Sequence, residues 1–117
     1  MIGVDIVYLP RFQRIIEGYN GERLLRRIFS EEELRQCEGK GPEARIQSLA
    51  GRYAVKEAVI KASKGEIDIS SLAAIEIRQD ASGAFEVWIS IEGVLCRHYE
   101  ASLSHDGEYA VAVAIMA

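Results

Sequence analysis

The sequence predicts an α+β fold in which an N-terminal strand is followed by three or four helices and then by an antiparallel sheet. Three observations predict it: apolar alternation at the N terminus, helical spacing through the middle, and renewed alternation with hairpin-type turns in the second half. Because the helices precede most of the strands, we expect one sheet covered on one face, within a single domain spanning residues 1–117.

The first predicted element is a strand over residues 1–9, where apolar residues recur with a period of two. Asp5 is unusual because it shares a strand face with Val7 and Leu9. A carboxylate beside apolar side chains loses solvation unless a cation or several N–H donors compensate. An aspartate at the end or edge of a strand, facing water or capping a helix, is the alternative interpretation.

The next elements are helices. Residues 11–29 carry apolar residues at helical intervals and are interrupted by turn-forming residues at 18–21, which predicts two short helices. Ser30 and Glu33 have the spacing of a capping box, so a further helix begins there and ends near residues 39–42. Residues 43–64 form the longest predicted helix, since they are rich in alanine and contain no proline.

The second half of the chain predicts strands. Residues 74–78 and 84–91 alternate apolar and polar residues around a turn containing Gly83, which is typical of a hairpin. A further strand pair, 101–104 and 109–115, is joined by His105, Asp106 and Gly107. We find no internal repeat or low-complexity tract.

Composition excludes several functional classes. The net charge of −4 does not favour binding to nucleic acid or to an anionic membrane. The longest apolar run, 109–117, is too short to span a bilayer, so we expect an unexported, cytoplasmic protein. The isolated cysteines Cys37 and Cys96 argue against a zinc cluster or a disulfide framework.

One stretch is basic despite the acidic average. Residues 11–27 hold five arginines against two acids, and the arginines are Arg11, Arg14, Arg23, Arg26 and Arg27. This local excess of positive charge predicts a surface that can receive an acidic partner.

Glu57 and Lys61 lie four residues apart on the longest predicted helix and therefore project from the same face. A solvated surface ion pair is the common explanation of this spacing. Small alanines near that face, together with Asp5, favour a second interpretation, in which the residues form a metal site. Two carboxylates can bind magnesium together with phosphate and water, and Lys61 can neutralise phosphate charge. Both interpretations stay open on spacing alone.

His105 lies in a predicted tight connection, where its imidazole can contact a ligand, act as a base or hydrogen-bond the turn. The chain has no Walker sequence, nucleophile elbow or His/Cys metal spacing, so the reaction classes that depend on them are excluded.

Four motifs resemble those of the short, single-lobe holo-acyl-carrier-protein synthase family. They are IGVDIV at 2–7, RIFSEEEL at 27–34, SLAGRYAVKEA at 48–58 with Lys61 and Ala62, and LSH at 103–105 before Tyr109. The third looks like the family signature of an aromatic residue, Ala, any residue, Lys, Glu and a later Lys. Their order and spacing agree over nearly the whole chain.

The resemblance implies a magnesium-dependent transfer of phosphopantetheine from coenzyme A to a serine of an acidic acyl carrier protein, with release of 3',5'-ADP. Asp5 and Glu57 would bind magnesium, and Lys61 would face the transferred phosphate. Residues similar in place to those that contact coenzyme A are Arg45, Arg52, Lys56, Gly65, Ser104 and His105. The residues that resemble the carrier-docking surface are Arg11, Arg14, Arg23 and Arg27.

Single-lobe members of this family are similar in forming homotrimers with active sites between subunits, so Trp88 and Ile91 are either interface or core residues. The chain departs from the family in two loops and one position: ASKGEI at 62–67 replaces the usual Gly-x-Gly loop, Tyr8 replaces an acid, and 92–101 is short for a helix. A catalytically weak coenzyme A-binding or carrier-docking subunit, and a small structural domain, are therefore the alternatives.

Overall fold

The computed structural model describes residues 1–67 and 69–117, including all of their side chains except those at 69, 71, 97 and 98. Its helices are α1 (Leu9–Ile16), α2 (Gly21–Ile28), α3 (Glu31–Cys37), α4 (Pro42–Ala62) and a 3-10 helix (Ile69–Ala74). Its strands are β1 (Ile2–Tyr8), β2 (Ile75–Gln79), β3 (Phe85–Ile91), β4 (Val94–Asp106) and β5 (Tyr109–Met116). This order confirms the predicted α+β class.

The five strands form one antiparallel sheet in the order β1-β5-β4-β3-β2. α4 packs across β1 and β5, so the core lies between this helix and one face of the sheet. The opposite face of β1 and β5 carries exposed apolar side chains, which are Ile2, Val4, Ile6, Val111, Val113 and Ile115. We refer to these six residues as the outer apolar face. In the described part of the chain, we find no helix long and apolar enough to cross a membrane.

Gly3 determines how closely β1 approaches α4. A Cβ atom at this position would lie 2.0 Å from the carbonyl oxygen of Ala58, well inside van der Waals contact. The missing side chain therefore lets the strand backbone pack directly on the helix. Because Asp5 follows two residues later, this contact also brings its carboxylate to the side of α4.

The predicted capping box at the start of α3 is confirmed. The Ser30 hydroxyl accepts a hydrogen bond from the Glu33 backbone N–H at 3.1 Å, and the Glu33 side chain accepts one from the Ser30 N–H at 2.9 Å. This exchange satisfies two backbone donors that a helix leaves free at its first turn.

A buried ion pair joins α3 to α4. Lys56 Nζ lies 2.6 Å from Glu33 Oε1, and both side chains are fully buried. Lys56 also donates to the carbonyl oxygens of Ile28 and Leu72, at 2.7 and 2.9 Å, and Glu33 accepts from the Ile77 N–H at 3.2 Å. Burial raises the pKa of Glu33 and lowers that of Lys56, while their mutual attraction opposes both shifts.

The structure corrects the prediction for the fourth strand. β4 covers residues 94–106 and not only 101–104, so His105 lies within the strand and the connection to β5 is the turn at 107–108. The stretch 92–101 begins with a tight turn at Glu92 and Gly93, whose φ angles are 51° and 81°. Two consecutive residues with positive φ are typical of a two-residue hairpin turn. This turn joins β3 to β4 in the stretch that was noted as short for the helix of the resembled family.

Candidate active site

A cleft of about 300 Å³ lies between β1, α1 and α4. Its polar lining includes the three residues predicted to carry the chemistry, Asp5, Glu57 and Lys61. Arg11 borders it from α1, and the rest of the wall includes apolar residues of α1 and β1 together with Ile28 and Tyr53. A strand residue and two helix residues, separated by more than 50 positions, thus meet in one cleft.

Lys61 pairs with Asp5 and not with Glu57. Its Nζ lies 2.9 Å from Asp5 Oδ1 and donates a second hydrogen bond to the Val4 carbonyl oxygen at 3.1 Å. The Asp5 side chain is 15% exposed and that of Lys61 is 54% exposed. Among the ion pairs of the described residues, the surface pair between Glu57 and Lys61 does not occur, so this alternative explanation of their spacing is wrong.

Tyr53 is a cleft residue that the sequence analysis did not single out. Its ring packs against Phe12 at 5.6 Å between centroids, and its hydroxyl interacts with the Glu57 carboxylate. Burial, Glu57 and the charge of Asp5 together raise the pKa of Tyr53 to about 12, so the hydroxyl stays protonated near neutral pH. The sequence could have indicated Tyr53, because it lies one helical turn before Glu57 and therefore projects from the same face of the helix.

The donor set of the cleft suits magnesium. Within the described residues no group of three or more His, Cys, Asp or Glu side chains could hold a metal ion, so a protein-only cage is absent there. Asp5 and Glu57 supply two carboxylates. Magnesium characteristically takes one or two carboxylates and completes its octahedron with substrate phosphates and water. The residues present therefore fit a cation that binds together with a phosphorylated substrate.

A second cavity, of about 220 Å³, brings Arg52 and His105 together. Arg52 is 3% exposed and donates to Ser48 Oγ at 2.6 Å and to Gln36 Oε1 at 3.0 Å. Its Nε is buried without a hydrogen-bond partner, and no ion pair of the described residues involves it. A buried guanidinium without a carboxylate is costly unless an anion compensates it.

This second cavity contains further polar residues. Lys40 and Gln47 also line it, and neither was selected from the sequence because both lie outside the motifs. At Gly51 an added Cβ would lie 2.6 Å from Leu103 Cδ2 and 3.3 Å from His105 Nε2, so this glycine lets β4 pack closely on α4. Burial lowers the pKa of His105, so its imidazole is neutral at neutral pH in the ligand-free protein.

The remaining predicted coenzyme contacts do not converge with these two cavities. Lys56 uses all three of its N–H donors inside the core, so in this arrangement it cannot also bind a phosphate. Arg45 is half-buried on α4 and lines neither cavity. Gly65 lies in an exposed turn with a φ of 90°. Ser104 is exposed and points to the sheet face opposite to His105.

The predicted docking arginines are all exposed. Arg11 and Arg14 lie on α1, and Arg23 and Arg27 lie on α2, which packs against α1. No ion pair of the described residues involves any of these four, which we call the basic surface. Arg11 stacks over the Tyr8 ring at 5.9 Å and also lines the cleft, so the basic surface reaches the edge of the site.

An antiparallel sheet under one long helix, with two carboxylates and an ammonium group in a cleft, is an arrangement suited to an enzyme that binds a phosphorylated substrate. A family model described as the 4'-phosphopantetheinyl transferase superfamily matches residues 1–114. The chain belongs to this family of enzymes.

The sequences and structures of individual relatives support this family assignment. The holo-[acyl-carrier-protein] synthase of Wolbachia pipientis wMel is 38% identical over 116 residues, which cover 98% of this chain and 91% of the relative. The crystal structure of the Neisseria meningitidis holo-[acyl-carrier-protein] synthase has a TM-score of 0.83 at 30% identity and covers 99% and 96% of the two chains. The Helicobacter pylori synthase in complex with coenzyme A has a TM-score of 0.81 at 30% identity, with 100% of both chains covered.

Proposed function

We propose that this enzyme transfers the 4'-phosphopantetheine group of coenzyme A to a serine of an acidic apo acyl carrier protein, with magnesium held by Asp5 and Glu57. The observation that carries the proposal is the convergence of Asp5, Glu57 and Lys61 in one cleft. The resemblance of the whole chain to synthases, one of them solved with coenzyme A, supports the choice of substrate. We expect the reaction to take place in the cytoplasm.

The reaction exchanges the phosphoanhydride bond of coenzyme A for a phosphate ester of the serine. The serine hydroxyl oxygen attacks the phosphorus that bears the pantetheine arm, the bond from that phosphorus to the leaving 3',5'-ADP oxygen breaks, and the serine proton passes to a basic group in the cleft. Lys61 faces the transferred phosphate and stabilises the negative charge that develops on it. Magnesium, when bound, supplies further positive charge to the diphosphate oxygens.

The second cavity is a candidate for the distal phosphate of coenzyme A. Arg52 lacks a carboxylate partner among the described ion pairs, and Lys40 adds a second positive charge to the same cavity. Arg52 and Glu57 are separated by about 140° around α4, since five residues turn a helix by that angle. Among the described residues, no residue lines both cavities, which favours a coenzyme bound between two subunits, each contributing one cavity.

Self-association of the chain as a homotrimer is part of this proposal. The outer apolar face leaves Ile2, Val4 and Ile6 between 55% and 67% exposed, which is unusual for neighbouring residues on a strand of a monomer. Ile91 is also exposed, whereas Trp88 is half-buried beside Arg78 at 5.2 Å. We therefore expect the outer apolar face, together with Ile91, to contact neighbouring copies.

Mass spectrometry tests the transfer directly. The protein is incubated with coenzyme A, magnesium and a panel of acidic apo carrier proteins, and we expect a carrier to gain the mass of phosphopantetheine only when magnesium is present. A coenzyme A-binding subunit without activity would instead raise its melting temperature with magnesium and coenzyme A but modify no carrier. A structural domain would show neither effect, and either result would refute the proposed reaction.

The basic surface predicts a selective loss of carrier affinity on charge reversal. Arg23→Glu with Arg27→Glu places two negative charges on one exposed face of α2, opposite an acidic partner. We expect KM for the carrier to rise about 10-fold or more, since like charges across an interface cost several kcal/mol. KM for coenzyme A should stay unchanged.

Arg35→Glu is the matched control for this double variant. Arg35 is an exposed arginine on α3 that pairs with Glu32 and lies outside the basic surface. Steady-state kinetics at low and high salt should show the loss only for the α2 variant, and mainly at low salt. An unchanged carrier KM at low salt would contradict the docking role.

A further inference from the structure

Each carboxylate of the cleft already has its own partner in the protein. Asp5 Oδ1 accepts a hydrogen bond from the Lys61 ammonium group at 2.9 Å, and Glu57 interacts with the Tyr53 hydroxyl. The two partners differ, because Tyr53 is neutral whereas Lys61 carries a full positive charge. Glu57 thus keeps its negative charge available, while that of Asp5 is neutralised by a cation within the chain.

We propose that Lys61 is an internal counter-ion of Asp5, that it leaves Asp5 when a divalent cation binds, and that it then binds the phosphate of coenzyme A. The inference rests on the proposed function, which it extends by linking two roles of one side chain. It predicts that Lys61 opposes cation binding in the free protein and favours coenzyme binding once the cation is present.

The exchange follows from charge and exposure. A divalent cation bound to Asp5 would lie close to the Lys61 ammonium group, and the repulsion between the two cations weakens the ion pair that Lys61 now makes. Lys61 is 54% exposed and can move into water, whereas Asp5 is 15% exposed and stays in place on β1. An ion pair with one exposed member is weak, so the exchange requires little energy.

The exchange also couples the two ligands. Without coenzyme A, the released ammonium group has only water as a partner. With coenzyme A bound, the same group meets phosphate oxygens, so each ligand should strengthen binding of the other, and the gain must be reciprocal. Substitution of Lys61 should therefore tighten binding of the cation alone and reduce the coupling.

Binding of Mn²⁺, followed by electron paramagnetic resonance with and without coenzyme A, tests this without turnover. Mn²⁺ prefers the same oxygen ligands as magnesium. We expect Lys61→Met to bind Mn²⁺ about 5-fold more tightly than the native protein when coenzyme A is absent, which corresponds to the loss of a partly exposed ion pair. Coenzyme A should then enhance Mn²⁺ binding several-fold less than in the native protein. Lys64→Met, an exposed lysine that does not line the cleft, should behave like the native protein.

Two outcomes distinguish a failure of the counter-ion role of Lys61 from a failure of the proposed metal site. If Lys61→Met, folded by its melting curve, binds Mn²⁺ alone no more tightly than the native protein, the counter-ion role is refuted and the proposed function stands. If the native protein binds no Mn²⁺ even with coenzyme A, the proposed metal site is refuted, and the inference is refuted with it.

Discussion

Glu57→Gln is expected to reduce phosphopantetheine transfer by about 1,000-fold or more. Substitution of a residue that only hydrogen-bonds a metal ligand already reduces metal affinity or activity by about 10- to 100-fold, and loss of the ligand itself should cost more. The substitution keeps the size of the side chain and its contact with Tyr53, but removes one of the two carboxylates that line the cleft among the described residues. Glu57 is half-buried and belongs to no ion pair of the described residues, so the fold should be retained.

Two measurements distinguish a lost ligand from a damaged protein. Magnesium with coenzyme A should raise the melting temperature of the native enzyme but not that of Glu57→Gln, because a ligand stabilises only the state to which it binds. Glu43→Gln, an exposed carboxylate in the first turn of the same helix, should keep native transfer and the native thermal shift. Native activity of Glu57→Gln with unchanged magnesium dependence would show that this ligand assignment is wrong.

The order of elements was predictable from the sequence because it depends on local signals. Helical spacing, the Ser30 capping box and the turn at Gly83 act over a few residues, and each appears where it was predicted. The length of β4 was not predictable in the same way. It depends on pairing with both β3 and β5, which are contacts between residues far apart in the chain.

The residues of the cleft were predictable, but not their pairing. Spacing places Glu57 and Lys61 on one helix face and cannot tell which groups pack against that face from elsewhere. The contact of Gly3 with Ala58 brings Asp5 to Lys61, so the ion pair forms across two elements. A glycine on a strand only indicates that the backbone can be approached closely, and does not identify the partner.

Lys56 shows that a charged residue within a sequence motif can be buried and not exposed to a ligand. It lies next to Glu57 in the family signature and was interpreted as a phosphate contact, but it points into the core. Successive helix residues project about 100° apart, so a buried Lys56 directs Glu57 away from the α3 side of the helix and toward the cleft. The ion pair with Glu33 is thus one of the buried contacts that hold α4 in the rotation on which the cleft depends.

Lys56→Met is expected to lower the free energy of unfolding by about 3–5 kcal/mol, the usual cost of removing one partner of a buried ion pair. The substitution keeps an unbranched side chain of similar length. It leaves Glu33 buried without its counter-ion, so the carboxyl either stays charged at a high cost or takes up a proton. It also removes the donor to the carbonyl oxygens of Ile28 and Leu72. Urea unfolding measures the loss, and a stability within about 1 kcal/mol of the native protein would contradict the role of the pair.

A second substitution identifies the origin of this loss. In Glu33→Gln with Lys56→Met the side chain at position 33 is neutral. Its single amide oxygen can accept from only one of the N–H groups of Ser30 and Ile77, which bind different carboxylate oxygens of Glu33 in the native protein. If the unpaired buried charge dominates, the double variant should be more stable than Lys56→Met alone, which is a non-additivity that contacting residues show in a double-mutant cycle. If instead the two losses add, the cost of Lys56→Met comes from the orphaned carbonyl groups and lost packing, and the charge pair contributes little to holding α4 in place.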